Sequence, residues 1–155
     1  MRKRRLAAVI WMLSVAMAAS AADKLFDPTR DSAKDLHATV EQAQREQKNI
    51  LMDVGGNWCP WCILVDRTLA EDPELHTLLE KNYIVLRVNF SQENENVAFL
   101  SNYPKATGYP AWYVLSPSGK LLKAEDTSEL EQTHQLGAGY NKDALKSFLT
   151  ANAPK

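Results

Sequence analysis

Ile50-Leu51-Met52-Asp53-Val54-Gly55-Gly56-Asn57-Trp58-Cys59-Pro60-Trp61-Cys62 is the stretch on which the reading of this 155-residue chain turns. Ile50–Val54 is apolar except at Asp53 and predicts a buried strand. A continuous run of this kind suits a central, largely parallel sheet better than a half-exposed edge. Gly55-Gly56-Asn57 supplies a loose turn, and Pro60 fits the first turn of a helix, where its missing N–H costs nothing. The cysteines therefore fall at a helix N-terminus. There the unpaired backbone N–H groups and the helix dipole stabilise a thiolate, the form that attacks disulfides. Cys62, one turn further in, is close enough to close a small ring with Cys59.

These are the chain's two cysteines, and their spacing makes them a redox or a metal pair. As a purely structural disulfide the ring would constrain little chain. Zinc usually takes four ligands, and His37, His76 and His134 are scattered without the close spacing of a zinc motif. Haem attachment needs histidine directly after the second cysteine, where Ile63 stands. The residues favour redox chemistry, with Cys59 as nucleophile and Cys62 as resolving thiol, and with neither metal nor cofactor. Asp53 is a candidate proton shuttle for Cys62 or, by spacing alone, an ordinary polar residue at a strand end. Trp58 is expected to cover the pair. Trp61 is expected to be exposed and to touch substrate.

The N-terminus bears on the compartment. Arg2-Lys3-Arg4-Arg5 precedes the apolar run Leu6 to Ala19, and Ala19-Ser20-Ala21 fits a small-residue cleavage site. Residues 1–21 are expected to be a secretory signal peptide; the competing reading is an uncleaved anchor, for which the run is short. No cysteine follows the run, which disfavours a lipoprotein, and Arg4-Arg5 lacks the hydrophobic residues of a twin-arginine signal. With 18 basic and 19 acidic residues the chain is near neutrality. Losing the leader removes four basic residues and no acidic one, so the mature chain is mildly acidic. Without a basic stripe, nucleic acid is not an expected partner.

The rest of the chain is long enough for one domain and too short for two ordinary ones. Asp23 to Asp31, polar and holding Pro28, reads as a linker (22–31 in the domain division). Ser32 is expected to cap a helix reaching about Lys48, with Asn49 breaking it. Helices are expected from Pro60 to Ala70, from Pro73 to Lys81, from Asn96 to Tyr103 and from Asn141 to Ala151. Tyr83–Phe90 reads as a strand, and Ala111–Leu115 with Lys120–Lys123 as a hairpin. Glu125 to Tyr140 is read least well.

From about residue 32 to the C-terminus these features resemble the thioredoxin superfamily. Asp53 stands six residues before Cys59, where thioredoxins carry a buried acid. Arg87, in Ile84-Val85-Leu86-Arg87-Val88-Asn89, stands where they carry a strand lysine. Gly108-Tyr109-Pro110-Ala111, followed by an apolar run and Ser118-Gly119-Lys120, is similar to their cis-proline loop, central strand and hairpin. Pro60-Trp61 and the long segment between Cys62 and Tyr83 depart from thioredoxin towards secreted bacterial thioredoxin-like proteins. The resemblance implies an α/β fold over 32–155, with a central mixed β-sheet flanked by helices. It makes Asp53 a functional acid, and it places a cis Pro110 beside the sulfurs. It also gives Tyr109 the role of offering backbone hydrogen bonds to an extended substrate. Arg87 is expected to support its strand or to pair with Asp53.

The implied function is an exported, periplasmic or secreted thiol–disulfide oxidoreductase that reduces or isomerises disulfides in protein substrates. Trp61 cannot supply the positive charge that a histidine between the cysteines would, which argues against a strong oxidant. A reductant in an oxidising compartment needs electrons, so a membrane-embedded donor is an expected partner. The other class left open is a binding or chaperone-like module that keeps the fold and uses the cysteines little.

Overall fold

The computed structural model describes residues 24–132 and 137–155, so the expected signal peptide and His134 lie outside the described residues. Strand β1, Asn49–Gly55, is buried along its whole length. It runs parallel to β2, Tyr83–Asn89, on one side and antiparallel to β3, Ala111–Leu115, on the other. Strand β4, Leu121–Asp126, completes the order β2-β1-β3-β4. A parallel pair needs a long crossover, and here it contains helices α2, Pro60–Glu71, and α3, Pro73–Asn82. β3 and β4 need only the Ser116–Gly119 turn, in which Gly119 takes a left-handed φ of 81°. The sheet is therefore mixed, where the apolar run of β1 alone suggested a largely parallel one.

Because side chains alternate across a strand, β1 feeds two cores. Ile50, Met52 and Val54 pack with Val88, Tyr113 and Ala43 of helix α1, Ser32–Glu46. Leu51 packs on the other face with Val65 and Leu69 of α2, Leu75 of α3 and Leu149 of the last helix. Asp53, two residues after Leu51, points to that same α2 side.

Local chemistry sets the helix ends. α1 is capped by Asp31, whose carboxylate accepts from the N–H groups of Ala33 and Lys34; Ser32, the expected cap, is the first helical residue. Gln47 ends the helix in a left-handed conformation, and Asn49 belongs to β1, where its amide donates to Asn152 O at 2.9 Å. Asp72 closes α2 and caps α3 by accepting from Glu74 and Leu75. Helix α4 is one turn, Val97–Leu100, shorter than expected. Helix α5, Lys142–Ala151, starts from the Asn141 cap. Between β4 and α5, Asp126 caps a 3-10 turn, Thr127–Leu130. The supposed linker is docked on the domain from Leu25 on, and Phe26 is fully buried.

Candidate active site

Cys59 is the N-cap of α2, held in extended backbone (φ −95°, ψ 104°), and its Sγ accepts the N–H of Cys62 at 3.1 Å. The two cysteines are joined as a disulfide, with Cα atoms 5.3 Å apart. The first turn, Pro60 to Ile63, carries no carboxylate, so nothing within it opposes the positive end of the helix dipole at Cys59. Cys62 is wholly buried and Cys59 only 3% exposed. In this oxidised form neither cysteine projects into solvent.

Two glycines make room around the pair. A Cβ on Gly55 would lie 2.5 Å from Cys62 Sγ, and one on Gly56 would lie 2.4 Å from Trp58 Nε1. The Trp58 indole therefore leans across Gly56, and its N–H donates to Phe90 O at 2.7 Å. It meets Tyr109 edge-on at 5.8 Å between ring centroids, and Tyr109 stacks on Phe90 at 4.8 Å. Trp58 remains 55% exposed. Trp61 is half-buried, packs against the cysteine cluster and meets Tyr140 edge-on at 5.5 Å. Trp58 is the more exposed of the two, and Trp61, expected to be exposed, is half-buried against the cysteine cluster.

The Tyr109–Pro110 peptide bond is cis. Pro110 O accepts the buried hydroxyl of Thr127 at 2.6 Å, and the Tyr109 side chain packs against the cysteine cluster.

On β1, Asp53 is 5% exposed. It lies two residues before Gly55 on the same strand face, about 7 Å further along β1. The Trp112 indole N–H donates to its Oδ1 at 3.1 Å. Arg87 stands opposite Asp53 in the β1–β2 register, but its guanidinium is hydrogen-bonded to Asp66, one helical turn after Cys62. Of the two roles expected for Arg87, supporting its strand or pairing with Asp53, the second is not what the guanidinium does: its hydrogen bond goes to Asp66 on α2. Burial pushes the Asp53 carboxyl up to about 7; the Arg87 charge and the Trp112 bond pull it down, and the Asp66 charge raises it. Asp53 thus lies two residues along β1 from Gly55, the glycine whose missing Cβ leaves room for Cys62 Sγ.

Residues 31–117 match a family model described as thioredoxin-like. The chain belongs to the thioredoxin-like family. A disulphide isomerase from Xylella fastidiosa Temecula1 superposes on this thioredoxin-like chain with a TM-score of 0.68 at 20% identity, covering 84% of this chain and 98% of that one. A protein described as DsbH oxidoreductase gives 0.54 at 18% identity, covering 93% and 94%. The oxidised C-terminal domain of Neisseria meningitidis DsbD gives 0.53 at 18% identity, covering 79% and 96%. At these identities the likeness is one of fold. No curated protein matches the chain in sequence. The family, together with the Cys59–Cys62 disulfide, supports a thiol–disulfide redox role in general terms.

Three residues of the site were not singled out from the sequence. Asp66 could have been found from its i+4 spacing to Cys62, which places both on one helix face. Phe26 carried a weaker signal, a lone aromatic in a polar stretch. Thr127 carried none. His37 and His76 lie away from the site on α1 and α3, beside Glu41 and Glu80 one turn on.

Proposed function

We propose that this chain is a thiol–disulfide oxidoreductase that transfers two electrons between Cys59/Cys62 and a disulfide in a protein substrate, in the reducing or isomerising direction. The observation that carries the reading is the placement of the pair: one cysteine caps a helix whose first turn holds no carboxylate, and the other is buried over Gly55, two residues along β1 from the buried Asp53. In the reduced enzyme the Cys59 thiolate attacks one sulfur of the substrate disulfide. A Cys59–substrate bond forms, the substrate S–S bond breaks, and the departing sulfur leaves with the electron pair and takes a proton. Cys62 then gives its proton to Asp53 and attacks Cys59 Sγ. That step expels the second substrate sulfur as a thiolate with the electron pair, which takes a proton from water, and regenerates the Cys59–Cys62 disulfide. Trp58 and Tyr109 form the apolar surface beside Cys59 on which substrate chain would lie, and Pro110 and the Tyr109 backbone align it.

The direction follows from the charges around Cys59. A strong oxidant needs heavy stabilisation of its attacking thiolate. The helix end supplies part of this, but Trp61 adds no positive charge, and an ionised Asp53 opposes a thiolate. On this reading the protein is exported by its leader and re-reduced by a membrane-embedded donor. Intact-mass analysis of the exported protein tests the first point, with a mature chain beginning near Ala22 expected and a full-length product against it.

Turnover of a protein disulfide substrate tests the redox reading. Cys59→Ser is expected to abolish reduction, and Cys62→Ser to accumulate a covalent mixed disulfide through Cys59. If both variants retain the chain's effect on its partners, the cysteines are dispensable and the chain is a binding module.

A further inference from the structure

Phe26 belongs to a stretch that reads as a polar linker, yet it is fully buried and packs against Cys59 and Cys62. Gly55 makes the room for it. The Cβ that Gly55 lacks would stand 2.5 Å from Cys62 Sγ and 3.1 Å from Phe26 Cζ. The resolving sulfur and the tip of the Phe26 ring therefore share the volume over a strand residue that has no side chain. The apolar wall beside Cys62 comes from a segment distant in sequence, not from β1 itself.

That segment is pinned to the loop carrying Cys59. Asn57 Oδ1 accepts the Phe26 N–H at 3.1 Å while Asn57 Nδ2 donates to Phe26 O at 2.6 Å. Two residues on, Asn94 Nδ2 donates to Pro28 O at 3.0 Å. Two amide side chains, one in the active-site loop and one beyond β2, thus hold a short strap whose apolar residue lies against the sulfurs. Asn57 is itself exposed, so its hydrogen bonds add little to the core and much to the position of the strap.

We propose that Phe26 is a positioning residue that closes the side approach to Cys62, so that outside disulfides enter this site only at Cys59. The meaning of this for catalysis rests on the redox reading above, but the shielding of Cys62 is measurable whether or not the chain turns over a substrate. With the ring in place Cys62 exchanges only with Cys59 Sγ. With the ring removed, the Cys62 thiolate reaches an external disulfide such as oxidised glutathione. A Cys62–glutathione bond then forms, the glutathione S–S bond breaks, and one glutathione leaves as thiolate with the electron pair and takes up a proton.

The test uses Cys59→Ser as parent, in which Cys62 is the chain's one thiol. Its reaction with oxidised glutathione and with iodoacetamide is followed by mass, alone and combined with Phe26→Ala, Phe26→Leu or Asn57→Ala. Phe26→Ala is expected to speed both reactions about 10-fold or more, Asn57→Ala by about 3-fold or more, and Phe26→Leu to stay near the parent rate. Should Phe26→Ala fail to fold, Asn57→Ala decides the matter. Parent-like rates in the folded variants would overturn the proposal. So would a gain that merely tracks global unfolding in a denaturant series, since a structural role alone produces that.

Discussion

The indole N–H of Trp112 donates to the Asp53 carboxyl at 3.1 Å, between residues that stand directly opposite each other in the antiparallel β1–β3 register. This bond fixes a carboxyl that burial raises to about 7. Between about pH 4 and pH 7 the folded chain keeps a proton that the unfolded chain has already lost, so stability falls as pH rises through that window. Above it the cost of an ionised, buried Asp53 is fully present, at about 4 kcal/mol as an upper bound. An asparagine in its place would keep the Trp112 bond without the charge. Asp53→Asn is expected to match the parent near pH 4 and to exceed it by about 2–4 kcal/mol at pH 8, read by urea unfolding of the oxidised protein. A gain independent of pH would mean that the carboxyl is not the group that titrates.

The same proton has a kinetic reading. If Asp53 accepts it from Cys62, resolution of a Cys59 mixed disulfide accelerates as pH rises through 7. Asp53→Asn is then expected to slow that step by about 10²-fold at pH 7.5. Stopped-flow release of a thiol leaving group separates this step from the first attack. Equal release rates in parent and variant would show that Cys62 gives its proton straight to solvent.

The Thr127 hydroxyl donates to Pro110 O within a buried pocket. Thr127→Val keeps the shape and leaves that carbonyl without its donor, a loss of about 1–3 kcal/mol. Thermal unfolding measures it, and a change below about 0.5 kcal/mol would mean that water replaces the hydroxyl.

Trp58 and Trp61 are expected to divide by effect. Trp58→Ala removes an exposed ring beside Cys59, so KM for a protein substrate rises while stability changes by less than about 1 kcal/mol. Trp61→Ala removes the edge-on contact with Tyr140 and packing against the cysteine cluster, at a cost of about 2–4 kcal/mol. The opposite division would restore the arrangement expected from the sequence.

How much of this was legible depended on the range of each interaction. Strand β1 and the start of α2 announced themselves through local signals, an apolar run and a proline beside a capping cysteine. The helix cap moved by one residue because Asp31 and Ser32 are both capable caps, and the choice between them depends on which side chain faces the free N–H groups. The tryptophans could not be ordered from sequence, since each directly precedes a cysteine and the outcome depends on the space over Gly56. Arg87 was placed on the Tyr83–Phe90 strand, which the structure shows, but its bond to Asp66 crosses from sheet to helix and follows no strand periodicity. Phe26 and Thr127 were lost for the same reason: their partners, Asn57 and Pro110, lie far along the chain, and no repeat connects them.

The central claim, a reversible redox pair on the reducing side, is tested most directly by equilibrating the protein in glutathione and dithiothreitol buffers of set potential and counting Cys59 and Cys62 thiols by acid trapping and mass. One reversible two-electron transition is expected, with a midpoint of roughly −200 to −270 mV. A midpoint near −120 mV would make the chain a strong oxidant, and a disulfide that stays closed below about −300 mV would make it structural; either contradicts the account.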